Sequence, residues 1–259
     1  MSINLNMPIH IGLLGAMPEE VESCVKKLQN VKKIEHGDLT IFSGELNFIS
    51  SKNQKIQISL AWSGWGKVSA ARAATRLISE ANNKNPIDLL LFTGVAGGAD
   101  KNLDQWDIVV AKAVIQHDMD ASPIFDKFII PSIKQKYLYS LPKYSNWAYS
   151  LLEKSINSGD LSNFRKVSRG IIATGDQFIS SKLLISKLAV EIPGLSAVEM
   201  EGASVAQVAY QEGVPWVIVR VISDSADEKA ADNFNIFLEK YKEFSWNLIE
   251  TLLRNINFG

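Results

Sequence analysis

The stretch from Ser196 to Ala230, SAVEMEGASVAQVAYQEGVPWVIVRVISDSADEKA, places acidic side chains at the two ends of a helix–strand unit whose middle is apolar. Glu199 and Glu201 fall at the first end, Ser223 and Asp224 at the second, and Arg220 lies inside the apolar run between them. Carboxyl groups can give or take protons and can accept several hydrogen bonds. An acid near the carboxyl end of a central strand sits where open α/β sheets place their ligands.

The elements that would position these groups are legible nearby. Ala197 to Met200 reads as the end of a buried strand, and Gly202 to Tyr210 as a helix with Val205, Val208 and Ala209 at core spacing. Gly213 closes that helix and Pro215 bars its continuation. Val214 to Ile222 is then an apolar run suited to a strand covered on both faces. A charge on such a strand needs a partner, so Arg220 predicts a polar pocket shared with the glutamates. Asp224 by itself reads equally as a turn residue or helix cap.

The remaining chain alternates strands and helices. Ile9 to Leu14 is a short strand, followed by Pro18 and by Glu19, Glu20 and Glu22, the composition of a helix start. Leu39 to Trp62 alternates as antiparallel strands about a turn at residues 51–54, and Lys67 to Ala81 has helical period. Ile87 to Phe92 is a buried strand running into Thr93 to Gly98, a glycine cluster that predicts a loop with exposed amides. Trp106 to His117 is a strand, and residues 124–144 read as irregular because Pro131 and Pro142 interrupt any long element. A helix over Asn146 to Ser155, a strand over Arg169 to Ala173 and a long closing helix after Asn233 and Phe234 complete the chain.

With 259 residues, 46% of them hydrophobic, one α/β domain over residues 1–259 is expected. A net charge of −1 without a basic stripe argues against nucleic acid as a partner. Cys24 is the one cysteine, so no intramolecular disulfide can form, and it is expected to pack in a helix. The N-terminal residues lack a basic leader and their apolar run is too short for a bilayer, which predicts a cytoplasmic protein with no membrane contact. His10, His36 and His117 have no ligand-spaced partners, so no metal is expected. SGWGKV lacks P-loop spacing and TGVAGGAD is not a dinucleotide fingerprint, so no cofactor is expected either.

AVEMEGA followed by VRVISDSAD resembles the nucleoside phosphorylase/nucleosidase superfamily, and within it the 5′-methylthioadenosine/S-adenosylhomocysteine nucleosidases. GAMPEE, SGWGK, TGVAGG, QHDMD, TGDQFI, VEMEGA and VISDSAD occur in that family's order over nearly the full length. The resemblance implies a single-domain, nucleoside phosphorylase-like α/β fold with a mixed central sheet flanked by helices on both faces. It implies hydrolysis of an adenine N-glycosidic bond within methionine salvage, without metal or cofactor. Asp224 would protonate the base, Ser223 would orient Asp224, and Glu20 would activate water on the opposite face of the sugar, as in inverting glycosidases.

By the same resemblance Glu201 would hold the ribose 2′- and 3′-hydroxyls, Met200 would pack beneath the sugar, and Glu199 would stand further back in the pocket. Phe178 would stack on the purine while the Ile179 backbone binds the base edge, and Trp65 and Phe234 would line the 5′ end. Ala16, Met17, Ala96 and Gly97 would complete the substrate site. Many nucleosidases carry a serine where this chain has Val95, so the water would be oriented by Glu20, Arg220 and backbone groups. His117 and Asp120 read as structural. A homodimer is implied, with residues near Pro123 to Phe128 reaching the neighbour's 5′ pocket.

Three other readings stay open. A phosphorylase would use the same purine site with phosphate, but phosphate calls for basic groups and the N-terminal loop offers Glu19 and Glu20 without an arginine. An aminofutalosine nucleosidase would take a larger 5′ substituent. A nucleoside-binding protein would not need both Asp224 and Glu20.

Overall fold

The structure is a computed structural model that describes residues 8–256 apart from 52, 83–84 and 228–229, with the backbone alone at 231–233. The reading of a missing leader therefore falls largely on residues outside those described, as do Glu228, Lys229 and the side chain of Asn233. In chain order the elements are β1 (Ile9–Gly15), α1 (Pro18–Val25), β2 (Leu28–His36), β3 (Leu39–Ile49), β4 (Lys55–Trp62), α2 (Lys67–Asn82), β5 (Leu89–Gly98) and β6 (Ile108–Gln116). They continue with β7 (Leu138–Tyr139), α3 (Pro142–Asn157), β8 (Val167–Thr174), α4 (Lys182–Glu191), β9 (Leu195–Glu199), α5 (Gly202–Gln211), β10 (Trp216–Asp224) and α6 (Ala230–Arg254).

The strands form one mixed sheet in the order β10-β6-β8-β9-β5-β1-β4-β3-β2, with β7 beside β6. A further pairing of β10 with β5 closes β5, β10, β6, β8 and β9 on themselves. Helices α1, α3 and α6 cover one face, where Val217, Val219 and Val221 of β10 join Phe237, Tyr241 and Leu248 in a core. Helices α2 and α5 cover the other, where Trp216, Ile218 and Ile222 meet Ala73, Leu77, Ala203 and Ala206. Buried on both faces, β10 reads as a continuous apolar run for this reason.

Several local expectations shift. The Thr93 to Gly98 cluster is not a loop: β5 runs through it, paired with β10 as far as Gly97 and with β9 at Gly97 and Gly98. The cluster is therefore held by strand pairing instead of forming a free anion nest, and its Val95 amide donates to the Glu20 carboxylate. Asp224 is the last residue of β10 and does not lie past it, and Val214 and Pro215 precede that strand. Pro142 begins α3, where its missing N–H costs nothing, so it starts a helix instead of interrupting one. Strand β2 and helix α4 carry no strong periodicity, being mostly exposed, and the sequence reading does not assign them.

Candidate active site

A cleft opens at the ends of β1, β5, β9 and β10, with about 560 Å³ of empty space between its walls when the solvent at its open mouth is included. Chain segments far apart in sequence supply its walls. Ala16, Met17 and Glu20 come from the β1–α1 junction, Trp65 from the turn before α2, and Val95, Ala96 and Gly97 from β5. Gln177, Phe178 and Ile179 follow β8, Val198 to Glu201 end β9, Ser223 and Asp224 end β10, and Phe234 projects from α6. Every residue expected in the site lines the cleft except Arg220, which is completely buried behind it.

Glu20 is the third residue of α1, and its carboxylate folds back over the helix start. Oε2 accepts from the amides of Ala16 at 2.6 Å and Met17 at 3.0 Å, and Oε1 accepts from Val95 at 3.0 Å. Of about four lone-pair positions on a carboxylate, the amides occupy three, leaving one on Oε1. The carboxylate reaches β5 only because residue 94 is glycine: a Cβ there would fall on Glu20 Oε1 and Arg220 Nη1. Burial raises the Glu20 pKa, opposed by Arg220 and by the three amides. A carboxylate so raised is a better proton acceptor near neutral pH.

Glu199 and Glu201 differ in what they have left to offer. Glu199 accepts from the Thr174 hydroxyl through Oε1, and through Oε2 from Arg220 Nη2 at 2.5 Å, Gly202 N at 2.7 Å and Glu201 N at 3.2 Å. It thereby caps α5 and neutralises Arg220, with its acceptors taken by protein. Glu201 accepts one short bond, from Gly66 N at 2.9 Å, and lies 3.8 Å from Arg220 Nη2. Burial first, and then the neighbouring Glu199 charge, push the Glu201 carboxyl up to about 8. Both glutamates line the cleft, but Glu201 keeps acceptor positions that no protein donor fills, so Glu201 is the better equipped to take ligand hydroxyls. Arg220, with its guanidinium carbon 3.9 Å from the Phe92 ring centroid, is the counter-charge predicted from its place in a buried strand.

At the end of β10 the register against β5 slips by one residue between Ile222 and Asp224. Side chains alternate along a regular strand, so such a bulge re-aims neighbouring side chains, and here Ser223 and Asp224 both reach the cleft. Ser223 Oγ lies 2.6 Å from Asp224 Oδ2 and 3.2 Å from the Ala96 carbonyl oxygen, and Ala226 N donates to Oδ1 at 2.7 Å. Burial raises the Asp224 pKa, against the Ser223 and Ala226 hydrogen bonds. Asp224 is thus biased toward the protonated form, while Ser223 can turn its single hydrogen to Ala96 or to an ionised Asp224.

Aromatic rings close the mouth. Phe234 stands edge-on to Trp65 at 6.0 Å and to Phe178 at 5.8 Å, with Trp65 half exposed. Val198 and Gln177 also line the cleft and were not singled out from sequence. Val198 looks like any strand valine, whereas Gln177 lies inside the TGDQFI motif and was within reach. Asp120 accepts from the Ser122 amide, a turn role, and the His117 ring packs on Gly175. Among the described residues no cationic side chain lines the cleft, and no histidine, cysteine or acid cluster is arranged to hold a metal ion.

An acid biased toward its protonated form, a buried carboxylate with one open lone pair and a further carboxyl with acceptor positions to spare define a site for acid–base chemistry on a hydroxyl-bearing molecule. A sequence model of the phosphorylase superfamily matches residues 10–254, and the chain belongs to that family. The 5′-methylthioadenosine/S-adenosylhomocysteine nucleosidase of Glaesserella parasuis is 32% identical, over 95% of this chain and 98% of its own. The solved nucleosidase of that name from Neisseria meningitidis, in complex with methylthio-immucillin-A, superimposes with a TM-score of 0.82 at 30% identity, covering 95% of this chain and 99% of its own. A futalosine hydrolase mutant from Helicobacter pylori superimposes with a TM-score of 0.80 at 32% identity, covering 94% and 97%.

Proposed function

We propose that this chain, acting as one domain, hydrolyses the adenine N-glycosidic bond of 5′-methylthioadenosine and S-adenosylhomocysteine. As the C1′–N9 bond breaks, its electron pair passes to adenine, and Asp224 transfers its proton to N7. A water molecule held at the open lone pair of Glu20 Oε1 attacks C1′ and gives its proton to Glu20. The products are adenine and a 5-alkylthioribose, and the two carboxyl groups exchange protons with solvent before the next turnover. Glu201 accepts the ribose hydroxyls and fixes the ring while charge develops on C1′. Arg220 contributes counter-charge from behind Glu199 and Glu201.

The observation that carries water over phosphate is the charge of the cleft. Four carboxyl groups line it and no cationic side chain does so among the described residues, whereas a phosphate dianion requires converging donors and positive charge. The edge-on Trp65, Phe234 and Phe178 rings suit an apolar thioether at the 5′ end, with sulfur near aromatic edges. We place the protein in the cytoplasm and in methionine salvage, as a homodimer. Ile124, 83% exposed, is available to a neighbour's 5′ pocket, while Phe128 is buried in its own chain. Among the described residues no helix is long and apolar enough to cross a membrane.

The test is adenine release from methylthioadenosine in phosphate-free buffer and again with phosphate, with the sugar product identified. Free methylthioribose without phosphate is the expected result. Release only with phosphate, as a sugar 1-phosphate, overturns the role of Glu20. Aminofutalosine, assayed in parallel, tests the larger 5′ group, and faster turnover on it than on the thioether refutes the reading of the aromatic wall.

A further inference from the structure

We propose that Asp118 and Asp176 are positioning residues of this site, joined through Lys67 into a clasp that holds its sugar wall against its base wall. The inference rests on the nucleoside reading above. Asp118 Oδ1 accepts from Lys67 Nζ at 2.6 Å, and Asp118 Oδ2 accepts from the Asp176 amide at 2.9 Å. Asp176 Oδ1 in turn accepts from the Lys67 amide at 2.7 Å, closing a ring between segments 109 residues apart in sequence. Gln116 Oε1, at 3.2 Å from Lys67 Nζ, anchors the ring to the end of β6.

Both segments reach into the cleft next to the clasp. In the turn, Trp65 lines the cleft and Gly66 donates its amide to Glu201, the carboxyl assigned to the ribose. Gly66 does so at φ +91°, a conformation that side-chain-bearing residues rarely adopt. The next amide, that of Lys67, belongs to Asp176. Directly after Asp176 come Gln177, Phe178 and Ile179, the base wall. Neither aspartate lines the cleft, so both act through these neighbours.

Magnitude separates positioning from general stability. The Lys67 and Asp118 side chains are 18% and 31% exposed, and Asp176 is exposed. Ion pairs open to solvent contribute only about 0–1 kcal/mol to folding. Asp118 still carries its charge readily: burial opposes ionisation, but Lys67 and the Asp176 amide outweigh it and hold its pKa below the usual carboxylate range. The consequence of the clasp is therefore local. It fixes the separation of two loops that must grip one ligand, and preorganised walls bind without a further ordering cost.

The carboxylate geometry distinguishes the variants. Asp176→Asn keeps one oxygen for the Lys67 amide and turns its NH2 toward solvent, so the clasp survives. Asp118→Asn must present its NH2 either to an ammonium or to an amide N–H, so the clasp fails. Steady-state kinetics on methylthioadenosine and amide hydrogen exchange of the full chain test this together. Asp118→Ala and Asp176→Ala are expected to raise KM by about tenfold or more with kcat within about threefold, the loss of one charge-assisted bond's worth of binding. The double variant should be no worse than the poorer single one, because both break the same ring.

In Asp118→Ala the Gly66 and Lys67 amides should exchange faster along with that of Asp176, although Asp118 bonds neither of the first two amides directly. An unchanged KM, a fall in kcat alone, Asp176→Asn as impaired as Asp176→Ala, or faster exchange at Asp176 by itself each overturns the clasp. Wild-type protein that releases no adenine refutes the nucleoside reading instead, and the exchange result, which needs no substrate, still decides the clasp.

Discussion

Asp224→Asn isolates the proposed proton transfer because the structure accommodates the amide. The Asn oxygen can accept from Ala226 N in place of Oδ1, which lies 2.7 Å from it. The Asn NH2 can donate to Ser223 Oγ, 2.6 Å from the present Oδ2, while Ser223 turns its hydrogen to Ala96 O at 3.2 Å. Ala226 N, Ser223 Oγ and Ala96 O all keep a partner, and the second NH2 hydrogen belongs to a residue that lines the cleft, so stability should change by no more than about 0.5 kcal/mol. The carboxamide has no proton to give, and general acid catalysis typically contributes about 10²- to 10⁴-fold, or about 2.7–5.4 kcal/mol of barrier. Three readouts check this: kcat for adenine release, the Kd of a non-hydrolysable adenine nucleoside analogue by calorimetry, and the thermal midpoint. The expected outcome is kcat reduced by at least about 100-fold, with Kd unchanged within about threefold and Tm shifted by less than about 2 °C. A variant keeping more than about a tenth of wild-type kcat, or one whose Kd weakens as much as kcat/KM falls, refutes Asp224 as the acid.

Glu20→Gln should not be so well tolerated. Its two oxygens accept three amides between them, so a Gln NH2 must oppose at least one N–H, at a cost of about 1–3 kcal/mol. Denaturant unfolding should show that loss alongside a kcat lowered by about 10²-fold or more, and a stable, active variant refutes both statements. Glu201, raised to about 8 by burial and Glu199, carries a folded-state pKa above the unfolded value of about 4.3. Its contribution to the stability of the ligand-free protein is therefore full below that unfolded value and is lost as pH rises toward about 8. Melting curves of wild type against Glu201→Gln should converge at acid pH and separate across this window, while KM for the nucleoside falls as Glu201 ionises. A pH-independent difference in Tm counts against the assignment. Arg220→Met removes the counter-charge of Glu199 and Glu201. Breaking a buried pair costs about 3–5 kcal/mol, a Tm loss of about 6–20 °C in a protein of this size. An unchanged Tm would mean that the amides capping Glu199 suffice alone.

What the sequence determined follows from local chemistry. Period and punctuation marked most helices and buried strands, because one-sided burial imposes spacing on apolar residues and Gly or Pro ends what it cannot continue. An arginine in the buried run of β10 demanded acids, and Glu199 and Glu201 are there. The ordered motifs, through resemblance, pointed to Glu20 and Phe178, whose own spacing is that of an ordinary helix start and a core ring.

Tertiary structure decided the rest, because each remaining choice depends on which groups already have partners. Glu199 and Glu201 are two residues apart and alike in sequence, yet α5, Thr174 and Arg220 occupy the first while the second keeps its acceptors for the cleft. Glycines that read as a loop extend β5, because β10 and β9 pair with them there. Ser223 and Asp224 face one site through a bulge that no pattern of side chains announces. Asp118 and Asp176 lie inside the QHDMD and TGDQFI motifs with no role assigned to them from sequence, and they meet through Lys67 only after β6, β8 and the start of α2 have been brought side by side.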